Sequence, residues 1–459
     1  MRRFAHNLRA NVLFARLQRL PLPTLLVGGL LFSVTLFSSF DAAAVPSFSR
    51  QTGAACSQCH TQSFGPNLTP FGRDFKLTGY TLSTGTSKLP PISAMITGSF
   101  THTDKDQDPA NLASGSSKNN NFTFDEASLF YAGRIYDKVG TFSQFTYDGY
   151  GDSVAWDNTD LRFADNTELA DTPITYGISL NNNPTVQDLW NTTPAWGFPY
   201  TGSGVQPGIA AAAILDGGLG TSQVGGATAY AMIDNLLYLE AGAYDSFSNS
   251  LQRGLAGALS DSFIKLDGPA PYWRMALQYN NKGHYFAVGH YGISADVLLP
   301  NSLGDTSGGA DHFTDAAFDA TYQYMANPRH IVEAKTSYIY EDQNFASSRS
   351  GGTGRTGLNT FKLNAAYTFD QTYGVTFGYN LVTGSRNSNV YPDLVYYKPN
   401  SEYFTAELVY VPFGKAKSLL NPWLNIRTSL QYIGYSQFDG VGTSANANNT
   451  FMVNGWLAF

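Results

Sequence analysis

Both cysteines of the chain lie in one pentapeptide, Cys56-Ser57-Gln58-Cys59-His60. C-x-x-C-H is the spacing of covalent haem attachment in c-type cytochromes. Two thiols so placed reach the two vinyl groups on one edge of a porphyrin. The next residue then brings an imidazole onto the iron. His60 is therefore the expected proximal axial ligand, and one covalently attached c-type haem the expected cofactor. A thioredoxin-like redox pair belongs beside a βαβ pattern, and the sequence has none. A structural zinc site takes four ligands. Cys56, Cys59 and His60 are three, with no partner pair nearby.

Spacing does not mark a second axial ligand. Methionine in that position raises the potential relative to a second histidine. Met95 and His102 are the nearest downstream candidates, both in the first expected strand. His284, His290, His312 and His330 fall far along the chain and read as surface or lumen residues. G-x-S-x-G, H-E-x-x-H, Walker and Rossmann patterns do not occur on fitting elements. Asp104, Asp106 and Asp108 alternate in one polar stretch. Oxygen ligands suit hard divalent cations, but the glycine and final glutamate of an EF-hand are missing. These three read as a solvated acidic loop, and no iron-binding residue is assigned.

The elements that must hold this motif follow from composition and period. The chain has 459 residues, 28 Lys+Arg against 35 Asp+Glu, 14% charged and 14% aromatic residues. Mean hydropathy is −0.19. After residue 44 no apolar stretch approaches the ~20 residues of a spanning helix. The many aromatics and few charges exclude a disordered chain. The acidic balance excludes a nucleic-acid surface. Two cysteines are too few for a disulfide scaffold.

Residues 1–44 read as a secretory signal. Arg2, Arg3, Arg9, Arg16 and Arg19 form the positive region, Leu25 to Phe40 the apolar one, and Ala42-Ala43-Ala44 the small-residue cleavage site. Without this segment 23 basic residues face 34 acidic ones, a net charge of −11. The mature chain is acidic and exported.

Residues 91–459 alternate with period two. Phe361, Leu363, Ala365, Tyr367 and Phe369 lie on one face, and Lys362, Asn364, Ala366, Thr368 and Asp370 on the other. Phe318, Ala320, Tyr322 and Tyr324 oppose Asp319, Thr321 and Gln323. Phe404, Ala406, Leu408 and Tyr410 oppose Thr405, Glu407 and Val409. Sixteen candidate strands start near Ile92, Phe122, Val139, Val154, Pro173, Val224, Leu236, Tyr272, His284, Phe313, Ile331, Thr360, Tyr373, Tyr403, Ile426 and Phe451. Tight turns mostly alternate with long polar loops at 103–121, 184–222, 248–270, 295–311, 345–358 and 386–401. The connections near 165–172 and 413–424 break this rhythm. The last strand is amphipathic and ends on Phe459.

This pattern predicts an all-β fold: a 16-stranded antiparallel transmembrane β-barrel in the bacterial outer membrane, apolar face to lipid. Tyr136, Tyr238, Tyr272, Trp273, Tyr373 and Tyr403 fall near strand ends, where interfacial girdles form, although β-propensity alone favours them there. The loop at 184–222 carries Trp190, Trp196, Phe198 and Tyr200 among prolines. A packed surface loop is the plain expectation, and an inward constriction or a cap over the haem the functional ones.

Residues 45–90 form a separate small unit, a monohaem segment too short for a large core of its own. It is expected to pack against the barrel lumen, in its periplasm-facing mouth or deeper. Arg50, Arg73 and Lys76 either meet haem propionates or make ordinary lumen salt bridges. Gly53 and Gly72 are expected to serve turns. The unit carries Pro46-x-Phe48-x-Arg50-x-x-Gly53 before the haem motif and Leu68-Thr69-x-Phe71-Gly72-Arg73-x-Phe75 after it. In these motifs it resembles the fused outer-membrane monohaem cytochrome–porins of Fe(II)-oxidising bacteria. The resemblance implies a single-haem plug in a barrel that takes electrons from extracellular Fe(II). It implies delivery to a periplasmic carrier, a soluble cytochrome or copper protein, and hence an iron:cytochrome c oxidoreductase. A solute porin with a structural or sensory haem plug, or a conduit for another donor or acceptor, stays open beside it.

Overall fold

The period-two alternation folds into strands in the computed structural model of the chain. It describes residues 47–85, 89–109, 112–113, 115–217, 219, 224–256, 265–298, 308–347 and 354–459. The expected signal segment, 1–44, lies outside the described residues, as do residues 45 and 46.

Strands β1 (Ile92–Thr103), β2 (Asn121–Tyr136), β3 (Val139–Asp148), β4 (Ser153–Leu169) and β5 (Thr172–Asn181) precede the longest loop. After it come β6 (Val224–Ile233), β7 (Leu237–Ser246), the two-residue stub β8 (Lys265–Leu266), β9 (Ala270–Asn281) and β10 (His284–Leu298). The remaining strands are β11 (Asp311–Asn327), β12 (His330–Phe345), β13 (Gly354–Phe369), β14 (Tyr373–Gly384), β15 (Ser401–Tyr410), β16 (Asn425–Gln437) and β17 (Thr450–Ala458). Each long strand pairs antiparallel with the next, β7 meets β9 past the stub, and β17 returns to β1. The result is a closed barrel of 16 strands. Closure leaves no edge. The last residue completes it: Ala94 N donates to Phe459 O at 2.7 Å, and Phe459 N to Ala94 O at 2.9 Å.

All expected strand starts but one fall within two residues of the observed ones. The exception is β13, which begins at Gly354 rather than near Thr360. Its first residues pair with β12 above the apolar band, and Arg355 there holds Asp342 at 2.7 Å. Where both faces are polar, alternation disappears from the sequence while pairing continues.

Tight hairpins gather on one rim. Ala170 and Asp171, Asp234 and Asn235, Lys282 and Gly283, and Asp370 and Gln371 all take left-handed backbone. Two such residues in succession make the turn whose twist matches the flanking strands. The irregular connection near 165–172 is thus the hairpin at Ala170-Asp171. The connection 411–424 lies on the same rim but is long, because it meets the N-terminal segment.

Facing follows the expected parity. Phe318, Leu363, Phe404 and Leu408 are exposed outside, while Asp319, Thr321, Gln323, Thr405 and Glu407 are buried inside. The girdle expectation needs correcting in part. Tyr136 and Tyr373 are exposed, but Tyr238 and Tyr272 are fully buried in the lumen. Tyr403 also faces inward, opposite in parity to exposed Phe404, and packs on Tyr435 with ring centres 5.1 Å apart. Aromaticity near a strand end does not specify a face; register does.

Residues 47–85 occupy the lumen, with short helices α1 (Ser47–Thr52), α2 (Cys56–Cys59) and α3 (Pro70–Leu77). Lumen carboxylates and cations reach this segment: Tyr80 Oη donates to Asp160 Oδ2 at 2.7 Å, and Lys335 Nζ to Asn67 Oδ1 at 2.8 Å. An arginine on the outward face tests the facing. Phe377→Arg should cost about 2–4 kcal/mol in a urea titration of the barrel refolded into lipid vesicles. Leu419→Arg, on the rim loop, should change stability by under about 0.5 kcal/mol.

Candidate functional site

One helical turn, α2, carries both cysteines. Ser57 N donates to Gly414 O at 3.0 Å, and Gln371 Nε2 to Ser57 O at 3.0 Å. These bonds fix α2 against the hairpin rim. His60 N closes the turn on Cys56 O at 2.9 Å. Helix α3 then crosses α2. Thr69 caps α3 by accepting from Gly72 N at 3.3 Å, and Pro70 fills the first helical position. The Thr69 hydroxyl also donates to Gln58 O, and Thr69 N to Cys59 O at 2.9 Å.

The two glycines divide. Gly53 ends α1 with φ +69°, as a turn residue should. Gly72 does not serve a turn. It lies inside α3, where a Cβ would sit 2.4 Å from Cys59 O. Its role is close approach of α3 to the haem-motif helix.

Cys56, Cys59 and His60 line a single cavity of about 430 Å³, within the ~300–1,000 Å³ of small-molecule and cofactor sites. Phe48, Phe64, Phe75, Phe130, Phe142 and Trp456 supply much of its wall. The rings hold one another, with Phe48–Phe75 centres at 4.9 Å and Phe64–Trp456 at 4.6 Å. The cysteines are not disulfide-bonded. Burial pushes the Cys56 thiol up, and burial together with Cys56 pushes Cys59 up to about 12. Burial lowers His60 from 6.5 to about 4, so its imidazole is neutral at physiological pH. All three residues are half-buried and line the cavity.

The donor set suits a c-type haem. His60 Nδ1 is buried without a hydrogen-bond partner. A neutral imidazole beside two thiols and an aromatic cavity is what covalent haem ligation uses. When present, the haem would be held by Cys56, Cys59 and His60.

The cationic side chains of the segment turn mostly to anchoring. Arg73 donates to Leu68 O at 2.7 Å and Gln323 Oε1 at 2.9 Å, with its guanidinium 3.6 Å from the Tyr285 ring centre. Lys76 lines the cavity but gives its protons to Val186 O, Asp188 O and Asn191 Oδ1 at 2.8, 2.6 and 2.9 Å. Arg50 donates to Ile92 O at 2.6 Å and sits 5.7 Å from the Trp423 ring centre. Arg73 and Lys76 thus anchor the segment through carbonyl and amide oxygens rather than through the expected salt bridges.

The loop between β5 and β6 is not a surface loop. Val186, Leu189 and Trp190 are fully buried. Asp188 meets Arg274 at 3.1 Å, Trp190 Nε1 donates to Tyr285 Oη at 2.5 Å, and Ile214 N to Glu341 Oε2 at 2.6 Å. The loop folds inward because the lumen face offers charged partners for its backbone. Its Trp196, Pro199 and Tyr200 line the same cavity as α2.

The remaining candidates are placed as follows. His102 is exposed and bonded to Asn120, away from the cavity. His284, His312 and His330 bond to Tyr322, Asp296 and Tyr367, and His290 accepts from Trp273 Nε1. Asp104, Asp106 and Asp108 stay on the loop after β1, and among the described residues no three His, Cys, Asp or Glu side chains gather to hold a metal ion. Met95, by contrast, lines the cavity.

A second cavity adjoins the first. It shares Met95, Glu126, Asp157, Tyr200 and Trp456 with it and continues past Thr97, Asp125 and Asp148 toward the loop rim. Four carboxylates and no lysine or arginine line this shaft. Sequence reading missed these acids because they lie apart on β2, β3 and β4. The register shift between Glu126 and Phe124 also reverses the parity of β2 there, so alternation alone does not place both Asp125 and Glu126 inside.

No family model matches the chain, and no curated protein matches it. Among solved structures it is similar to the outer membrane channel DcaP of Acinetobacter baumannii, at 11% identity over 80% of this chain and 96% of that one, TM-score 0.47. It is similar to Pseudomonas putida OprB, at 13% identity over 80% and 93%, TM-score 0.45. It is also similar to the anion-selective porin from Comamonas acidovorans, at 13% identity over 80% and 98%, TM-score 0.44. At these identities the likeness is one of fold alone.

Two outcomes check the site. Gly72→Ala should destabilise the segment by about 1–3 kcal/mol through overpacking on Cys59, read as faster proteolysis of residues 47–85 with barrel migration unchanged. A haem-free Cys56→Ala/Cys59→Ala variant should keep His60 buried. Its folded value near 4 lies below the unfolded 6.5, so the unfolded chain binds more protons between them. The stability of the segment is then full above pH 6.5 and falls toward pH 4, by an amount on the order of 3 kcal/mol. Hydrogen exchange of residues 47–85 at pH 7 and pH 5 measures it.

Proposed function

We propose that the protein is an outer-membrane barrel that holds one c-type haem in its lumen and moves single electrons between the exterior and the periplasm. The observation that carries this reading is the convergence of Cys56, Cys59 and His60 on one aromatic cavity within a closed barrel. When bound, a haem supplies a one-electron couple. The chain's own residues supply the rest. Cys56 and Cys59 would anchor the haem, neutral His60 would ligate its iron, and the aromatic wall would shield it.

A membrane setting agrees with the apolar outer face, since lipid leaves unpaired backbone groups no partner and only closed barrels or helices satisfy them. Among the described residues no helix is long and apolar enough to cross a membrane. The hairpin rim, which holds α2, would face the periplasm, as short turns do in such barrels. Exposed Gly53 and Gln58 there offer a surface for a periplasmic carrier.

Extracellular Fe(II) is the donor of this reading. The shaft supports a cation over an anion, because Asp125, Glu126, Asp148 and Asp157 line it without a basic side chain. It runs from the loop rim to the haem cavity. A solute porin with a structural or sensory haem is the second reading, and the polar shaft is what favours it. Against a wide pore stand the inward loop and the ion pairs Arg162–Asp160 at 2.6 Å and Arg274–Asp319 at 2.7 Å, which fill the lumen.

Stopped-flow absorbance of the oxidised protein mixed with Fe(II) tests the proposal. Reduced c-haem bands should grow, and Asp125→Asn/Asp148→Asn, which leaves the haem cavity untouched, should slow them roughly 3- to 10-fold at low salt and less at high salt. A spectrum that stays oxidised with Fe(II) yet reduces with dithionite removes iron as donor. Protein without covalent haem that conducts ions in planar bilayers leaves the porin.

A further inference from the structure

We propose that Met95 is the second axial ligand of the haem, so that the barrel wall and the luminal segment each coordinate one face of the iron. This rests on the haem reading above and deepens it.

The cavity offers few groups able to bind haem iron besides the His60 imidazole. His60 is its only histidine, and Met95 its only methionine. Lys76 also lines it, but its three protons are placed on Val186 O, Asp188 O and Asn191 Oδ1. Tyr200 donates its phenol to Asn67 Oδ1 at 2.8 Å, and burial raises it far above the usual range, so it offers no phenolate. Tyr80 donates its phenol to Asp160 Oδ2 at 2.7 Å, and the hard carboxylates Glu126 and Asp157 accept from Gln144 Nε2 at 3.0 Å and Thr146 Oγ1 at 2.9 Å. The one soft donor beside the two cysteines is the thioether of Met95.

Its setting suits the role. Met95 is the fourth residue of β1, on the luminal face, 7% exposed. It packs with Phe64, four residues beyond His60, and with Phe130 of the wall. Hence His60 comes to the cavity on the luminal segment, and Met95 on the barrel. Trp456 Nε1 donates to Met95 Sδ at 3.1 Å. A thioether has a second lone pair left for a metal. A donor on its sulfur withdraws electron density and so favours reduced iron, which makes Trp456 a positioning and tuning residue.

One consequence separates this ligand from any within the luminal segment. Because Met95 belongs to β1, methionine ligation requires the closed barrel. Full-length haem-loaded protein denatured in urea should lack it. Refolding into detergent should restore it in step with the compact barrel band on unboiled gels.

The test uses the full-length oxidised protein. Covalent haem is first established by haem-stained gel after denaturation. The methionine-to-iron charge-transfer band in the far-red spectrum of the ferric form, and the ring-shifted methionine methyl resonance of the ferrous form, are then recorded. Both should be present in the wild type and lost in Met95→Leu. Met95→His should keep six-coordinate low-spin haem with a lower potential. Trp456→Phe should keep the band and lower the potential. Compact migration on unboiled gels shows that each variant has assembled, and Met95→His carries the test should Met95→Leu not assemble. Covalent haem without the methionine signals, or signals that persist in Met95→Leu or Met95→His, would overturn the assignment and leave the haem reading standing. Absence of covalent haem would overturn both.

Discussion

The structure depends on one constraint: every backbone hydrogen bond of a lipid-facing strand must be satisfied within the protein. Closure of β17 onto β1 meets it. Closure also sorts side chains by parity. The lipid-facing positions are apolar, and the charged residues of the strands turn mostly inward. The barrel therefore encloses Asp160, Arg162, Arg274, Asp319, Glu333, Lys335, Glu407 and Arg427, all buried. Buried charges are tolerable only when paired and hydrogen-bonded.

The luminal segment and the inward loop answer that need. Asp188 of the loop meets Arg274 of the wall at 3.1 Å, and Lys76 of the segment binds the loop's backbone at Asp188 O. Arg162 joins wall, segment and loop, since it bonds Asp160, Lys76 O at 3.2 Å and Gln187 O. Removing one member of such a network strands its partners in a low-dielectric interior, at a cost of about 3–5 kcal/mol. The plugged lumen is thus a consequence of electrostatics, and the rigidity it gives α2 is what a fixed cofactor geometry requires.

The space not filled by this network is divided by chemistry. On the hairpin side it is aromatic and holds the two thiols and His60. Toward the loop rim it is lined by carboxylates. An apolar cavity favours a large flat cofactor and excludes water from it. An acidic shaft raises the local concentration of cations. The inward loop forms the boundary between them through Tyr200, which lines both.

Much of this was legible in the sequence. The spacing of Cys56, Cys59 and His60 puts all three on one cavity wall, because the geometry of a single helical turn is local. The period-two alternation gives the strands and their facing, because lipid imposes it residue by residue. Where lipid stops, the signal stops, and β13 therefore starts at Gly354, six residues before alternation marks it. Tertiary structure alone decided the rest. Tyr238 and Tyr272 point inward by register. Gly72 is glycine because α3 crosses Cys59. Val186 to Trp190 are buried because distant strands supply Arg274, Tyr285 and Lys335. Met95, Glu126 and Asp157 meet at the cavity only when β1, β2 and β4 close into a wall. Local spacing is written in one stretch of chain, whereas convergence depends on closure, to which every strand contributes.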